Sequence, residues 1–329
     1  PNMHMACSNM IFISKQLVGC LLAFSLACLG TTAQAAECNG LKVATGPAGK
    51  GYARLFADMQ QVCGRTVAMC ELPTSGGLDN LHAMSANEAD IGFAQVDTWA
   101  DMQMSNENIA GLQAVLSLNF NYLHVVVAAN GFAVAGESRF GGLLRGKPQY
   151  VLMERFSSLR GQRVAVVGST ALLGRKLEQR LRYGLHFVDV ETDDQAFQLV
   201  TSGKVAAALT VSGWPSGTVG ALKPDDRLSL APFDAPSDAP YVVRPVSYRG
   251  LGVYNTNMLA APNVLLSRPF KGAKASQVAA LKACVASHML ELQEGSYSPG
   301  WKEIKSLDKT WGIPPFKGAV APAKTDRKK

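Results

Sequence analysis

Charged residues and metal-binding clusters are scarce in this chain. Asp, Glu, Lys and Arg make up 17% of its 329 residues, where about 25% is usual in soluble domains. Of the formal net charge of +7, a surplus of three comes from the terminal "KTDRKK", which has four basic residues and one acidic residue. A nucleic-acid-binding protein would carry Lys and Arg clustered on one face, so that function is not expected. The histidines are scattered and no C-x-x-C pair occurs, so no zinc site is predicted.

Nucleotide-binding and catalytic motifs are missing as well. The stretch "ATGPAGKGY" has only three positions from Gly46 to Gly49 and carries Gly51 after Lys50, whereas a Walker A loop needs wider spacing and a Ser or Thr at that point. The dinucleotide pattern G-x-G-x-x-G and the G-x-S-x-G elbow are absent, and "GWPSG" has the wrong spacing. The sequence therefore predicts a non-catalytic protein without a cofactor. A secreted hydrolase is the less favoured alternative.

Long hydrophobic runs are limited to one short segment near the N-terminus. Lys15 precedes the apolar run 17–30, and "AQA" follows at 33–35. A positive charge, a short apolar core and small residues two apart are typical of a secretory signal peptide. A membrane span would need about 20 apolar residues. We therefore predict a cleavable signal peptide over residues 1–35 and a periplasmic mature protein.

Seven cysteines become four once that signal is removed. The four are Cys38, Cys63, Cys70 and Cys284. An even number in an oxidising compartment predicts disulfides. Three pairings are possible. The sequence favours Cys38 with Cys63, because one precedes the first strand and the other ends the next helix.

β-prone and helix-prone segments alternate from Leu41 onwards. Strands are predicted over 41–45, 66–72 and 91–96, with helices over 51–62 and 77–90 between them. After two further strands, "LQAVLSL" and "LHVVVAA", the same plan recurs with strands over 159–169, "FVDVETD" and 205–214 and helices between them. A single long helix is predicted over 274–295. Strands joined by such helices form parallel sheets with right-handed crossovers.

This order predicts an α/β fold of two similar lobes with parallel-type sheets, joined by a two-segment hinge. Lobe one would comprise residues 36–128 together with 245–318. Lobe two would comprise residues 129–244, with an irregular insertion or hairpin near 130–158. Residues 319–329 would be a disordered tail.

Glycine-bearing polar turns follow the predicted strands in both lobes. They lie at 46–51, 73–80, 95–99, 167–174 and 211–218. Ligands of open α/β sheets bind at the carboxyl ends of the strands, and helix N-termini there favour anions. Two lobes that face each other with such turns would enclose a binding cleft. In the alternative interpretation, Gly46, Gly49 and Gly51 only form a tight turn from strand to helix.

Seven stretches of the sequence, taken in order, resemble a known protein family. They are "ATGPAGKGY", "SGGLDNL", "EADIGFAQVD" and "LHVVV", followed by "LRGQRVAVVG", "LVTSGKVAAALTVSGWP" and "VSYRGLGVYNTN". In order and spacing they resemble the TAXI-type periplasmic substrate-binding proteins of TRAP transporters, which have a type II periplasmic binding-protein fold. The resemblance covers residue 41 to the middle 250s. It implies capture of a small solute, often a carboxylate, for a membrane permease, by a protein that we expect to be a monomer. A periplasmic sensor that docks on a receptor is the alternative.

Candidate ligand-binding residues follow from the turns and from this resemblance. Tyr52 lies on the apolar stripe of its helix, so a core position is an equal expectation, and Asp97 is interpreted first as a helix cap. The family usually has Ser where Gly77 stands, and the 130–158 insertion has no counterpart. The candidates are Gly49, Lys50, Gly51, Tyr52, Ser75, Gly76, Gly77, Asn80, Gln95, Asp97, Thr98, Ser169, Thr170, Trp214 and Tyr248.

Overall fold

The first six elements alternate between strands and helices, as the sequence predicts. The computed structural model describes residues 38–105, 109–134, 138–139, 144–145, 147, 149–168 and 170–318. Strands β2 and β3 both run parallel to β1. We call these elements the first βα group: β1 (Leu41–Gly46), α1 (Gly51–Cys63), β2 (Met69–Pro73), α2 (Gly77–Ser85), β3 (Ile91–Gln95) and α3 (Val96–Met104).

A long strand and a small hairpin-like region lie between the two repeats of this plan. The long strand is β4 (Gln113–Ala128). The predicted insertion contains two antiparallel strand pairs, β5 with β8 and β6 with β7. The four strands are β5 (Phe132–Val134), β6 (Ser138–Arg139), β7 (Leu144–Arg145) and β8 (Gln149–Val151).

The second repeat has the same order as the first. Strands β10 and β11 both run parallel to β9. We call these elements the second βα group: β9 (Arg163–Val167), α4 (Thr170–Leu181), β10 (His186–Val190), α5 (Asp193–Thr201), β11 (Ala207–Gly213) and α6 (Gly217–Ala221). The remaining elements are β12 (Leu228–Leu230), β13 (Val242–Tyr248), β14 (Val253–Ser267), α7 (Gly272–Ser287) and α8 (Met289–Glu294).

Two long strands join the two groups into one sheet. The order is β10-β9-β11-β4-β14-β3-β1-β2, with β12 also on β4 and β13 on β14. β4 pairs antiparallel with β14 through residues 113–123 and with β11 through residues 121–127. β14 in turn pairs with β3 through residues 263–267. The predicted fold class, two α/β units linked by two chain segments, is confirmed.

Helices cover both faces of the sheet, because the strands of each group bury side chains on both sides. On one face of the first βα group, α1 packs with α7 through Leu55, Met59 and Leu281. On the other face, α2 and α3 contribute a separate cluster with Leu81. Each large apolar side chain that is fully buried contributes about 1.5–3 kcal/mol. The second βα group has the same two-sided arrangement.

Two predicted elements need correction. β4 is one strand of 16 residues and not two; it pairs with β14 through residues 113–123 and with β11 through residues 121–127. The predicted helix 274–295 is divided at His288 into α7 and α8, although its predicted inward residues Val278, Leu281, Val285 and Leu292 are all buried.

The four cysteines among the described residues all form disulfides, but the favoured pairing was wrong. Cys38 is bonded to Cys70, and Cys63 to Cys284. Cys38 lies just before β1, and the parallel register of β1 and β2 puts Lys42 opposite Cys70. Cys63 ends α1 and points to α7 instead, because these two helices pack on the same face of the sheet. The pairing therefore depends on packing and not on distance along the chain.

The C-terminal segment 304–316 runs along the edge of β4 that β11 leaves free. Ser117 N–H donates to the Leu307 carbonyl, and Ala114 exchanges hydrogen bonds with Pro314 and Phe316 at 2.8 Å. The indole N–H of Trp311 donates to the Ser117 hydroxyl at 3.0 Å. This segment therefore completes the sheet beside the first βα group. In the part of the chain that the structure describes, no helix is long and apolar enough for a membrane crossing.

Candidate functional site

A cavity of about 280 Å³ lies between the two βα groups. Small-molecule pockets usually measure about 300–1,000 Å³, so this one suits a small solute. One wall is the end of β3 with the first turns of α2 and α3, and the other is α4 with the end of β11. The lining residues are Ser75, Gly76, Gly77, Leu78, Asp79, Gln95, Asp97, Thr98, Leu172, Leu173, Lys176 and Val211.

The turn before α2 is built so that its backbone faces the cavity. Gly76 has φ of +143°, a conformation open to glycine alone in practice. The Thr74 hydroxyl accepts from the Gly76 N–H at 3.1 Å and donates to the Asn80 side-chain oxygen at 2.6 Å. The Asn80 amide donates to the Phe93 carbonyl at 2.8 Å. The first N–H groups of a helix have no partner within the helix, so the start of α2 offers donors to a carboxylate.

Asp97 is a buried carboxylate in the cavity wall. It lies within the first turn of α3, whose N-cap is Gln95, so the prediction that Asp97 is a cap is corrected. One of its oxygens accepts from the Thr98 N–H at 2.8 Å. The other accepts from the hydroxyl of Tyr241 at 2.9 Å. Burial, and then the Asp97 charge, raise the pKa of Tyr241 far above its usual value, so this phenol stays a donor to Asp97.

Lys176 supplies the cation of the cavity lining. It lies on α4 and pairs with Asp101 on α3, so the ion pair spans the two βα groups. Burial lowers the pKa of Lys176, while the charge of Asp97 opposes that change. Lys176 is not among the candidates predicted from the sequence. Leu172 and Leu173 lie four and three residues before Lys176, on a helix that starts at a candidate turn. This spacing predicts that the three side chains share one face of α4.

Tyr52 packs near the cavity residue Gly77 without lining the cavity itself. Its ring stacks on Phe93 with centroids 5.3 Å apart, and its hydroxyl donates to the Asn263 side-chain oxygen at 2.8 Å. The Asn263 amide donates to the side-chain oxygens of Asn119 and Asn121 at 3.2 and 3.1 Å. Burial raises the pKa of the Tyr52 phenol well above its usual value. This network connects α1 to the part of the paired strands β4 and β14 that passes between the two βα groups.

The first glycine turn lies away from the cavity. Gly49, Lys50 and Gly51 are exposed and are not among the residues that line it. A side-chain β-carbon at Gly49 or Gly51 would meet nothing within 4 Å. In this structure Gly49, Lys50 and Gly51 therefore connect β1 to α1 and do not line the cavity.

The predicted turn at the start of α4 contributes indirectly. Ser169 lies outside the described residues. Thr170 is buried, and its hydroxyl accepts from the N–H of the cavity residue Val211 at 2.9 Å. Thr170 thereby fixes the end of β11 against α4 without lining the cavity.

The two aromatic candidates, the half-buried Trp214 and the buried Tyr248, pack in the second half of the sheet. Trp214 donates its indole N–H to the Ser247 carbonyl at 3.3 Å. Tyr248 is buried, and its hydroxyl accepts from the Ser216 N–H at 2.9 Å and lies 2.7 Å from His124 Nε2. Because their polar groups are already engaged, these aromatic residues support the fold and do not line the described cavity.

A cluster of three potential metal ligands occurs in the described residues, at Cys63, Cys284 and His288. The two sulfurs are joined in a disulfide, so they are not available as thiolate ligands. His288 Nδ1 also lies 2.9 Å from the Cys284 carbonyl oxygen. This cluster does not fit a metal ion.

No protein-family model matches the chain, and no curated protein matches it. Among solved structures, a TctC solute-binding protein from Polaromonas is 13% identical, with 75% of this chain and 82% of that chain covered and a TM-score of 0.47. An ancestral arginine-binding protein bound to arginine is 13% identical, with 81% and 98% covered and a TM-score of 0.46. The substrate-binding protein of an amino acid ABC transporter is 11% identical, with 76% and 93% covered and a TM-score of 0.41. These scores are below 0.5, so the ligand is inferred below from the residues of this chain.

Proposed function

We propose that this protein is a periplasmic solute-binding protein that captures a small carboxylate or amino-acid-like solute for a TRAP-type membrane transporter of the TAXI kind. The observation that carries the binding role is the cavity between the two βα groups, lined by the α2 N-terminus, Asp97 and Lys176. The TRAP partner is supported by the sequence resemblance. Export is supported by the N-terminal segment and by the two disulfides.

The two lobes of the proposal are residues 36–128 with 245–318 and residues 129–244. β4 and β14 connect them and would serve as the hinge. In the present conformation, contacts from Asp97 to Tyr241 and from Lys176 to Asp101 join the two lobes at the cavity residues Asp97 and Lys176. A solute would enter when these contacts open and would be enclosed when they re-form, which is a shift between open and closed populations.

The groups in the cavity suit a solute that carries a carboxylate and an ammonium group. The N–H groups at the start of α2 would bind the carboxylate, with the positive end of the helix dipole adding to the attraction. Asp97 would accept from the ammonium group in a charge-assisted hydrogen bond. Thr98, which borders the cavity beside Asp97, adds a hydroxyl for orientation.

Calorimetric titration of the mature protein with the standard amino acids and small dicarboxylates tests the binding role. At a ligand concentration 100 times the dissociation constant, binding raises stability by about 2.7 kcal/mol, so a thermal-shift screen finds the ligand first. Absence of any shift, together with turnover of a chromogenic ester by the same protein, would replace the binding role with an enzymatic one.

We expect Asp97→Asn to weaken binding of an ammonium-bearing solute about 10- to 100-fold. A hydrogen bond to a charged group contributes about 1.5–3 kcal/mol, and each 1.4 kcal/mol is tenfold in affinity. The Asn side-chain oxygen still accepts from Tyr241, whereas its NH2 group replaces the oxygen that accepts from the Thr98 N–H, so the contact to Tyr241 is kept. Titration of the variant and of Asp225→Asn, an exposed control, measures the difference. Equal affinities of all three proteins would remove Asp97 from the site.

A further inference from the structure

The charged groups of the cavity disfavour a ligand with net negative charge. Asp79 and Asp97 line it together with Lys176, the one cation among the lining residues that the structure describes. That cation is already paired with Asp101, and one Asp79 oxygen accepts from the Ser75 N–H at 3.3 Å. A dicarboxylate would therefore place two negative charges beside acidic groups with little free positive charge to balance them. A zwitterion adds no net charge.

Two exposed leucines face the same cavity from opposite walls. Leu78, in the first turn of α2, is 42% exposed, and Leu172, in the first turn of α4, is 46% exposed. Both line the cavity, as do the more buried Leu173 and the β11 residue Val211. A single exposed leucine needs no explanation. Two from different βα groups, continuous with further apolar side chains at the carboxyl ends of strands, form an apolar surface that a ligand side chain would cover.

From these two observations we infer that the ligand is an α-amino acid with an aliphatic side chain. The inference rests on the proposed function and narrows it. The head group lies between the α2 N-terminus and Asp97, and the side chain lies between Leu78 on one wall and Leu172 and Val211 on the other. The volume of about 280 Å³ has room for a free amino acid of this size.

Side-by-side titration with leucine, alanine, glutamate and arginine tests this inference. We expect leucine to bind at least tenfold tighter than alanine, because each buried methylene of its longer side chain adds favourable transfer free energy. We also expect leucine to bind at least tenfold tighter than glutamate, whose second carboxylate meets Asp79 and Asp97. Tighter binding of glutamate or of arginine overturns the aliphatic inference and leaves the solute-binding role intact. Binding of no solute overturns both.

Substitutions at Leu172 make the test specific to the apolar wall. Leu172→Asp should weaken leucine binding at least tenfold and alanine binding much less, since alanine does not reach that wall. The matched control is Leu290→Asp on α8, where an even more exposed leucine (65%) lies outside the cavity lining. Leu172→Ala, a milder change that keeps a good helix former, should weaken leucine binding in the same direction. Unchanged selectivity for leucine over alanine in correctly folded Leu172 variants contradicts the inference.

Discussion

Replacing Cys63 and Cys284 together by alanine should lower the free energy of unfolding by about 5 kcal/mol. The disulfide joins residues 221 apart in sequence, and closing so long a loop removes much of the conformational entropy of the unfolded chain. The bond also holds α1 against α7, two helices that share one core cluster. Breaking it therefore affects the packing of the first βα group as well as the unfolded state.

The second disulfide provides the comparison. Cys38 and Cys70 are 32 residues apart, for which loop closure predicts about 4 kcal/mol. Urea unfolding of the two double-alanine variants, under identical conditions, should give the lower midpoint for Cys63→Ala with Cys284→Ala. If the Cys38 and Cys70 variant is the less stable one, local constraint at the start of β1 outweighs loop length, and our ranking is wrong.

Glu303→Gln should stabilise the protein at pH 8 by up to about 3 kcal/mol. Glu303 is buried beside β4, where one of its oxygens accepts from the Tyr122 hydroxyl at 2.5 Å. Its other oxygen is buried without a hydrogen-bond partner. Arg244 donates to the same Tyr122 hydroxyl at 3.2 Å. Burial raises the pKa of Glu303 from 4.5 to about 7, against the opposing effects of Tyr122 and Arg244, so the charged carboxylate is unfavourable there.

The sign of the pH dependence follows from the raised pKa. Between pH 4.5 and about 7 the folded protein keeps a proton on Glu303 that the unfolded chain releases, so stability from this group falls as pH rises through that window. At 1.36 kcal/mol for each pKa unit, the loss reaches about 3 kcal/mol above pH 7. Glutamine resembles the protonated acid, so the variant should match the natural protein near pH 4 and exceed it at pH 8.

Urea unfolding at several pH values measures this difference. The buried His124 titrates with a pKa lowered to about 4 by burial, so its contribution rises with pH up to its unfolded value, but it is common to both proteins and cancels in the difference. Glu294→Gln, at an exposed position, is the control for removing one carboxylate. A difference between the natural protein and Glu303→Gln that does not change with pH would mean that folding leaves the pKa of Glu303 unchanged.

Local sequence patterns predicted most of the helices and strands, but they divided β4, which is one strand in the structure. The segment "NFNY" of β4 lies between the two strands that the sequence predicts, "LQAVLSL" and "LHVVVAA", and asparagine is uncommon inside strands. In the fold, Asn119 and Asn121 are contacted by Asn263 at the crossing of β4 and β14. Pro262 of β14 lies opposite Phe120, next to these asparagines. The gap between the two predicted strands is thus the part of β4 that passes from one βα group to the other.

Sequence alone determined the alternating α/β order and the turns at the strand ends, because side-chain periodicity and glycine act within a few residues. Six of the fifteen candidate residues come from those turns and line the cavity: Ser75, Gly76, Gly77, Gln95, Asp97 and Thr98. Only the tertiary structure decided which turns meet, which cysteines pair, and that Lys176, Leu172 and Tyr241 reach the site from residues far away along the chain. The physical reason is that these contacts depend on how the two βα groups pack across β4 and β14. A local sequence pattern does not encode contacts between segments far apart along the chain.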